Sequence, residues 1–157
     1  MVDRSELEST VRTFYSARNR NDLDAMIAML DPDCSFRIAG SNQLGPITQL
    51  VRGEESLRAA MGALVDDWDL SELHIISLHV DGNTAFVHRA GKVCFVPSGA
   101  VIETELLDRL TFSDSGLITD YLEFIDTHLV ADTAGLLSPQ EAIPFAPEPV
   151  SESRLQL

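Results

Sequence analysis

The spacing of hydrophobic residues changes once along the chain. Up to Trp68 they recur every three or four positions, as on one face of a helix. Three helices are predicted: one to about Arg18, one beginning at Asn21, and one after Gly53 with Trp68 on its apolar stripe. Residues 5–8 form a capping-box pattern, Asn21 fits an N-cap, and Asp-Pro-Asp at 31–33 stops the second helix.

Beyond Trp68, hydrophobic and polar residues alternate, which is the period of a half-buried strand. Turn residues (Gly, Asn, Asp, Ser) divide this region into an antiparallel meander. We therefore predict an α+β domain in which three N-terminal helices pack on one face of a curved, mainly antiparallel sheet. A short strand is predicted at 34–38, and longer ones at 73–80, 85–96, 101–112 and 117–125.

The domain is expected to span residues 1–137 as a single unit, with a loop or short helix at 127–137. Residues 138–157 contain four prolines and few apolar residues. This composition predicts an extended C-terminal arm that is mobile or lies on the body or on a partner subunit.

Charge and composition limit the possible partners. The 157 residues carry a net charge of −14, which argues against nucleic acid or an anionic membrane as a partner. Neither a signal-peptide pattern nor a long apolar run is present, so a cytoplasmic location is expected. The two cysteines are expected to be buried thiols. No metal-ligand spacing or phosphate-binding loop occurs, so neither metal nor cofactor is expected.

Asp108 is the strongest candidate for chemistry. It is the only charged residue on a strand face that otherwise carries Ile102, Thr104, Leu106, Leu110 and Phe112. A buried carboxylate is costly, so this side chain should be paired, protonated or used in a reaction.

Hairpin geometry suggests neighbours for Asp108. A turn centred on Ser98 and Gly99 would place Arg89 directly opposite Asp108. The adjoining turns would place Tyr121 beside Asp108, Glu123 one diagonal away, and His74 beside Arg89. Such a row could hold one carboxylate ionised as a base and the other protonated as an acid. A ligand-binding role without chemistry and a purely structural ion pair remain alternatives.

The order of elements resembles the nuclear transport factor 2-like superfamily over about residues 5–130. The resemblance rests on residues 11–33, the Arg52-Gly53 opening of the third helix, and the segments 81–85 and 117–126. It implies a cone-shaped fold with a pocket between helices and sheet, and commonly a homodimer through the outer sheet face. The superfamily includes both enzymes and binding proteins, so its fold does not fix the function.

Within that superfamily, Asp108 falls where ketosteroid isomerase has its protonated aspartic acid, a carboxyl that an apolar site keeps neutral. The tyrosine and base of that enzyme align with Phe14 and Ile38, so steroid isomerisation by its mechanism is not expected. Compared with limonene-epoxide hydrolase, Arg89 resembles the catalytic arginine and Glu123 replaces one aspartate. The other aspartate aligns with Gly91, and the usual His or Trp of the SnoaL cyclases is replaced by residues 36–37. Candidates for the pocket wall are Phe14, Tyr15, Ile38, Trp68 and Leu106.

These observations favour a cofactor-independent acid–base enzyme of the isomerase, cyclase, lyase or epoxide hydrolase type. Asp108 and Glu123 would be its acid–base pair, with Arg89 as polarising group and Tyr121 or His74 as hydrogen-bond donor. Its substrate would be a small apolar oxygenated molecule. The alternative is a non-catalytic ligand-binding protein or dimeric scaffold of the same fold.

Overall fold

The computed structural model describes residues 3–41, 45 and 47–137. This part of the chain forms an α+β domain of four helices and one six-stranded sheet. The arm expected at 138–157 lies outside the described residues. The elements are α1 (Arg4–Asn19), α2 (Leu23–Ile27), β1 (Leu30–Ile38), β2 (Val51–Arg52), α3 (Glu54–Asp67), β3 (Trp68–Asp81), β4 (Thr84–Phe95), β5 (Ala100–Phe112), β6 (Ile118–Phe124) and α4 (Thr127–Thr133).

The strands lie in the order β2-β1-β6-β5-β4-β3. Strands β1 and β6 run parallel, and every other neighbouring pair is antiparallel. The curved sheet packs its inner face against the helices. There, Val11 and Phe14 of α1 form one core with Val87 of β4 and Leu110 of β5. The predicted architecture is therefore confirmed.

The first two helices begin at other residues than predicted. The N-cap of α1 is Asp3, which forms a capping box with Glu6, so the helix begins two residues earlier than the pattern at 5–8 predicts. The N-cap of α2 is Asp22, because Asn21 has a left-handed backbone with φ of 57°. Helix α2 is short because the chain enters β1 at Leu30, where it pairs with Ile118 of β6. Residues 31–33 thus belong to a strand with an irregular register.

The third helix ends one residue earlier than its apolar stripe suggested. Trp68 belongs to β3 and pairs with Phe95, so its side chain lies at the junction of helix and sheet. Strand β2 was not predicted, since its two residues carry no periodic signal.

The hairpin registers differ from the prediction by two residues. Phe95 pairs with Ala100 across a four-residue loop, and the backbone N–H groups of Ser98 and Gly99 both donate to the Phe95 carbonyl. Arg89 is therefore opposite Leu106, and Asp108 is opposite Val87. A shift of two keeps every side chain on its face, so Arg89 and Asp108 still meet, but diagonally.

The neighbouring registers also change the predicted row. Asp108 lies directly opposite Glu123, whereas Tyr121 lies opposite Leu110. The prediction that His74 lies beside Arg89 is wrong. An irregularity between Ile75 and Ser77 reverses which residues of β3 face inward, so Ile75 is opposite Arg89 and His74 is exposed.

The outer sheet face carries an apolar row of four partly exposed side chains. We call it the outer row; it consists of Ile76, Phe86, Leu107 and Phe124, which are between 40% and 60% exposed. Within the described residues, no helix combines the length and apolar character required to span a membrane.

Gly91 is required where β3 bulges over β4. Its φ is 148°, and a Cβ atom there would lie 2.2 Å from the Glu72 carbonyl oxygen. Gly99, in the turn of the next hairpin, also has a positive φ of 71° but has open space around it.

We expect Gly91→Ala to lower the free energy of unfolding by at least about 2 kcal/mol, because a backbone clash adds to backbone strain. Gly99→Ala is the matched control and should cost about 1 kcal/mol, from strain alone. Urea denaturation of both variants measures the difference. Equal losses would show that the close approach at Gly91 does not constrain the fold.

Candidate functional site

Arg89 lies at the centre of a buried polar group on the inner sheet face. Its side chain is 1% exposed; its Nε donates to Asp108 Oδ2 at 3.1 Å, and its Nη2 lies 2.9 Å from the same oxygen. Nη2 also lies 3.5 Å from Glu123 Oε2. One guanidinium is thus shared by two carboxylates that face each other across β5 and β6.

Two tyrosines complete this group. Tyr15 Oη donates to Asp108 Oδ2 at 2.6 Å, and Tyr121 Oη donates to Glu123 Oε2 at 2.7 Å. The Arg89 Cζ atom lies 4.0 Å from the centre of the Tyr15 ring, a cation–π contact. Burial raises the pKa of both tyrosines well above 10, so both keep the protons that they donate.

The Asp108 carboxyl is fully buried, and it shares the positive charge of Arg89 with Glu123. Burial raises its pKa from 3.8 to about 7, and the nearby Glu123 carboxylate raises it too. Arg89 and the Tyr15 hydrogen bond act in the opposite direction. All its donors converge on Oδ2, while Oδ1 is buried without a hydrogen-bond partner. A proton on Asp108 would therefore sit on Oδ1.

The raised pKa links folding to pH. The folded state binds a proton at Asp108 that the unfolded chain, with an ordinary carboxyl pKa of 3.8, has released. Its favourable contribution to folding is complete below pH 3.8 and is lost as the pH rises to about 7.

An apolar cavity of about 60 Å³ adjoins this group. Glu123 and Tyr121 form part of its wall, whereas Asp108 and Arg89 do not. The Glu123 side chain is 12% exposed, compared with 0% for Asp108. Glu123 is therefore the carboxylate that a bound molecule would meet, and Asp108 lies behind it.

A wider groove of about 710 Å³ lies next to the cavity. The two share the side chains of Phe36, Ile38, Leu64 and Trp68. The groove has the volume of a typical small-molecule site, and the cavity alone is smaller than that.

Arg18 is a second buried cation at the cavity wall, and it was not among the predicted residues. Its side chain leaves the last turn of α1 and donates to the carbonyls of Leu64 and Trp68 and to Asn21 Oδ1. An arginine that follows Val11 and Phe14 on the buried stripe was a signal that sequence analysis could have used.

The structure separates the predicted site residues into three groups. Tyr121 and Glu123 line the cavity; Asp108 and Arg89 lie sealed behind them; His74 points away. Of the expected wall residues, Ile38, Trp68 and Leu106 line the cavity. Phe14 and Tyr15 do not: Tyr15 bonds to Asp108, and Phe14 packs edge-on between Tyr15 and Tyr121.

The described residues contain no group of three His, Cys, Asp or Glu side chains that could hold a metal ion. Burial raises the pKa of Cys34 to about 12, which makes it a poor ligand and nucleophile. At the cavity wall, Glu123 and Tyr121 are groups that can form hydrogen bonds and exchange protons.

Several solved structures share this fold. A nuclear transport factor 2-like protein of unknown function from Burkholderia pseudomallei has a TM-score of 0.71 and 18% identity, covering 82% of this chain and 96% of that chain. TerC, crystallised with polyporic acid, has a TM-score of 0.71 and 12% identity, with coverage of 83% and 98%. SalBIII, an epoxide hydrolase/cyclase-like enzyme with a role in pyran ring formation in the polyether salinomycin, has a TM-score of 0.67 and 18% identity, with coverage of 80% and 94%.

These identities are low, so the three structures establish the fold alone. No curated protein sequence matches the chain significantly. A family model described as a SnoaL-like domain matches residues 11–121, which is more than half of the chain. The protein therefore belongs to the SnoaL-like domain family.

Proposed function

We propose that this protein is a cofactor-independent acid–base enzyme that moves a proton on a small apolar oxygenated molecule. The observation that carries the proposal is the position of Glu123. It is a carboxylate at the wall of an apolar cavity, held by Tyr121 and Arg89 rather than surrounded by water. A carboxylate in such a place is a suitable general base.

Glu123 would remove a proton from a C–H or O–H group of the bound molecule. The electrons released would form a conjugated enolate-type anion. In a cyclisation, the carbon of this anion would attack a carbonyl carbon of the same molecule while the π bond of that carbonyl moves onto its oxygen. Glu123 would then return the proton to another substrate atom, so no net proton is gained or lost. Tyr121 Oη, which lies 2.7 Å from Glu123 Oε2, fixes the orientation of the carboxylate. This sequence of steps fits an isomerase or a cyclase.

Arg89 and Asp108 would act as positioning residues. Arg89 holds Glu123 from behind, and Asp108 accepts a hydrogen bond from the Arg89 Nε. Arg89 contacts both carboxyl groups, so its contact with Asp108 fixes where the guanidinium lies behind Glu123.

The site is divided into a small cavity and a larger apolar groove, which suggests the shape of the substrate. A compact oxygenated part would enter the cavity and meet Glu123, while an apolar body would lie in the groove. Among proteins of this fold, SalBIII has a role in pyran ring formation and TerC was co-crystallised with polyporic acid. Cyclisation of a polyketide-like molecule is therefore one reaction that we include in the proposal.

The alternative is a non-catalytic ligand-binding protein or scaffold. One observation favours it: the Arg89–Asp108 pair is 1% and 0% exposed and does not line the cavity. In this alternative, the buried ion pair has a purely structural role and satisfies polar groups within the sheet.

A general proton-abstraction probe distinguishes the two functions. Nitrobenzisoxazole is small, apolar and oxygenated; removal of its C–H proton breaks the N–O bond and gives a coloured cyanophenolate. We expect the wild type to accelerate this ring opening and Glu123→Gln to lower kcat/KM by about 100-fold or more, because the base is lost. Glu105→Gln, on the exposed sheet face, is the matched control and should leave the rate unchanged.

The Asp108→Asn variant tests the positioning role in the same assay. Burial raises the pKa of the Asp108 carboxyl to about 7, so its replacement by an amide should remove any inflection near pH 7 from the kcat/KM profile, and the maximal rate should fall. A purely structural role would lower the amount of folded enzyme without moving the profile. If Glu123→Gln reacts as fast as the wild type, the enzyme proposal is wrong.

We further propose that the outer row packs against a second copy of this chain. Its four side chains are exposed on β3 to β6, and Leu107 pairs directly with Phe124. An exposed apolar patch on an otherwise charged protein typically marks an interface.

Sedimentation equilibrium tests this interface. We expect the wild type to have the mass of two chains, and Leu107→Glu to have the mass of one, since a charge at the centre of an apolar interface is costly. Leu50→Glu, at a residue that is 62% exposed and outside the outer row, should remain a dimer. A dimeric Leu107→Glu protein would contradict the proposed interface.

A further inference from the structure

Arg18 is a buried guanidinium that faces the cavity without a carboxylate partner. It is 6% exposed and lines the cavity together with Glu123. Its three hydrogen bonds go to neutral groups: two carbonyls and one amide oxygen. Within the described part of the chain, no Asp or Glu oxygen lies within 4.0 Å of it.

This arrangement leaves binding capacity unused. A guanidinium has five N–H donors, and the three hydrogen bonds of Arg18 leave two of them. Burial lowers the pKa of Arg18, which reflects the cost of holding a cation away from water, while Glu123 and Asp69 act in the opposite direction from beyond ion-pair distance. An anion placed beside it would offset that cost.

The rest of the cavity wall gives the anion few other partners. Apart from Arg18 and Glu123, the described wall residues are apolar except for Thr104 and Tyr121. The cavity thus presents one cation and one proton acceptor within an apolar surface. We propose that Arg18 binds an anionic oxygen of the ligand, so that the substrate is an apolar organic acid bearing a carboxylate, enolate or phenolate. This inference rests on the proposed function, because it assigns a substrate class to the same cavity.

A structural role competes with this proposal. The carbonyls of Leu64 and Trp68 lie at the C-terminal end of α3, which has no basic residue in its last turn. Arg18 could serve only to cap that helix. Capping predicts loss of stability on substitution but no preference of the cavity for charged ligands.

Cinnamate and cinnamyl alcohol are matched probes, because they differ only at one end, where cinnamate has a carboxylate and the other molecule has a neutral alcohol. We expect the wild type at pH 7 and constant ionic strength to bind cinnamate about tenfold tighter than the alcohol, as measured by NMR titration. Arg18→Gln should bring the cinnamate Kd to that of the alcohol and leave the alcohol Kd unchanged. Arg18→Lys should restore part of the preference.

Arg12→Gln is the matched control, since Arg12 is an exposed arginine on the same helix. It should leave both Kd values as in the wild type. Equal affinity of the wild type for the two probes would overturn the proposal. So would the absence of saturable cinnamate binding, or an equal loss of both probes in Arg18→Gln and Arg18→Lys. If Arg18→Gln does not fold, Arg18→Lys provides the test, because it keeps the charge but changes the hydrogen-bonding geometry. A reduced preference for cinnamate supports the proposal, and an unchanged preference contradicts it.

Glu123→Gln separates this inference from the proposed function. It should retain the Arg18-dependent preference for cinnamate, and removal of a like charge should strengthen cinnamate binding. If Glu123→Gln keeps its turnover of nitrobenzisoxazole while the cinnamate preference depends on Arg18, the enzyme proposal fails and the binding site stands. If turnover requires Glu123 but the preference is absent, the site at Arg18 fails and the enzyme proposal stands.

Discussion

The inner sheet face depends on one buried cation shared by two carboxylates. Arg89 contacts both Asp108 and Glu123, and its charge can offset only one of them. In a site this buried, a second uncompensated negative charge is expensive, so the group favours a form that holds one proton. The proton belongs to Asp108, which is fully buried, while the more exposed Glu123 meets the cavity. The reactivity proposed at the cavity wall and the burial behind it are therefore parts of one electrostatic arrangement.

The fold supplies this arrangement from four separate elements. Strands β4, β5 and β6 each contribute an inward side chain, and α1 brings the Tyr15 hydroxyl onto Asp108 from above the sheet. The Tyr15 ring also covers the guanidinium at 4.0 Å. Helix α1 then continues to Arg18, which ties it to the end of α3. The same helix thus closes the buried site and reaches the cavity wall.

Much of this arrangement could be predicted from the sequence, because the alternation of apolar and polar residues assigns each side chain to a sheet face even when the predicted strand register is wrong by two residues. The alternation of β4 and β5 put Arg89 and Asp108 on one face, and a register shift of two left them there. The prediction for His74 was wrong because an irregularity in β3 reverses which residues face inward, and the hydrophobic pattern gives no sign of that irregularity. Exposure could not be predicted either. Asp108 and Glu123 share a face, and only packing by Tyr15 and Tyr121 decides which one meets the cavity. Arg18 was missed because a buried arginine interrupts an apolar stripe by one residue only.

The most direct test is an NMR titration of the Asp108 side-chain carboxyl carbon in the folded protein. We expect it to titrate with a midpoint near pH 7, since burial and the Glu123 charge both oppose its ionisation. In Glu123→Gln the midpoint should move lower, because Arg89 then serves Asp108 alone. A midpoint at or below the ordinary value of 3.8 would show that Asp108 is ionised beside Arg89 at neutral pH, and would contradict the shared-cation account.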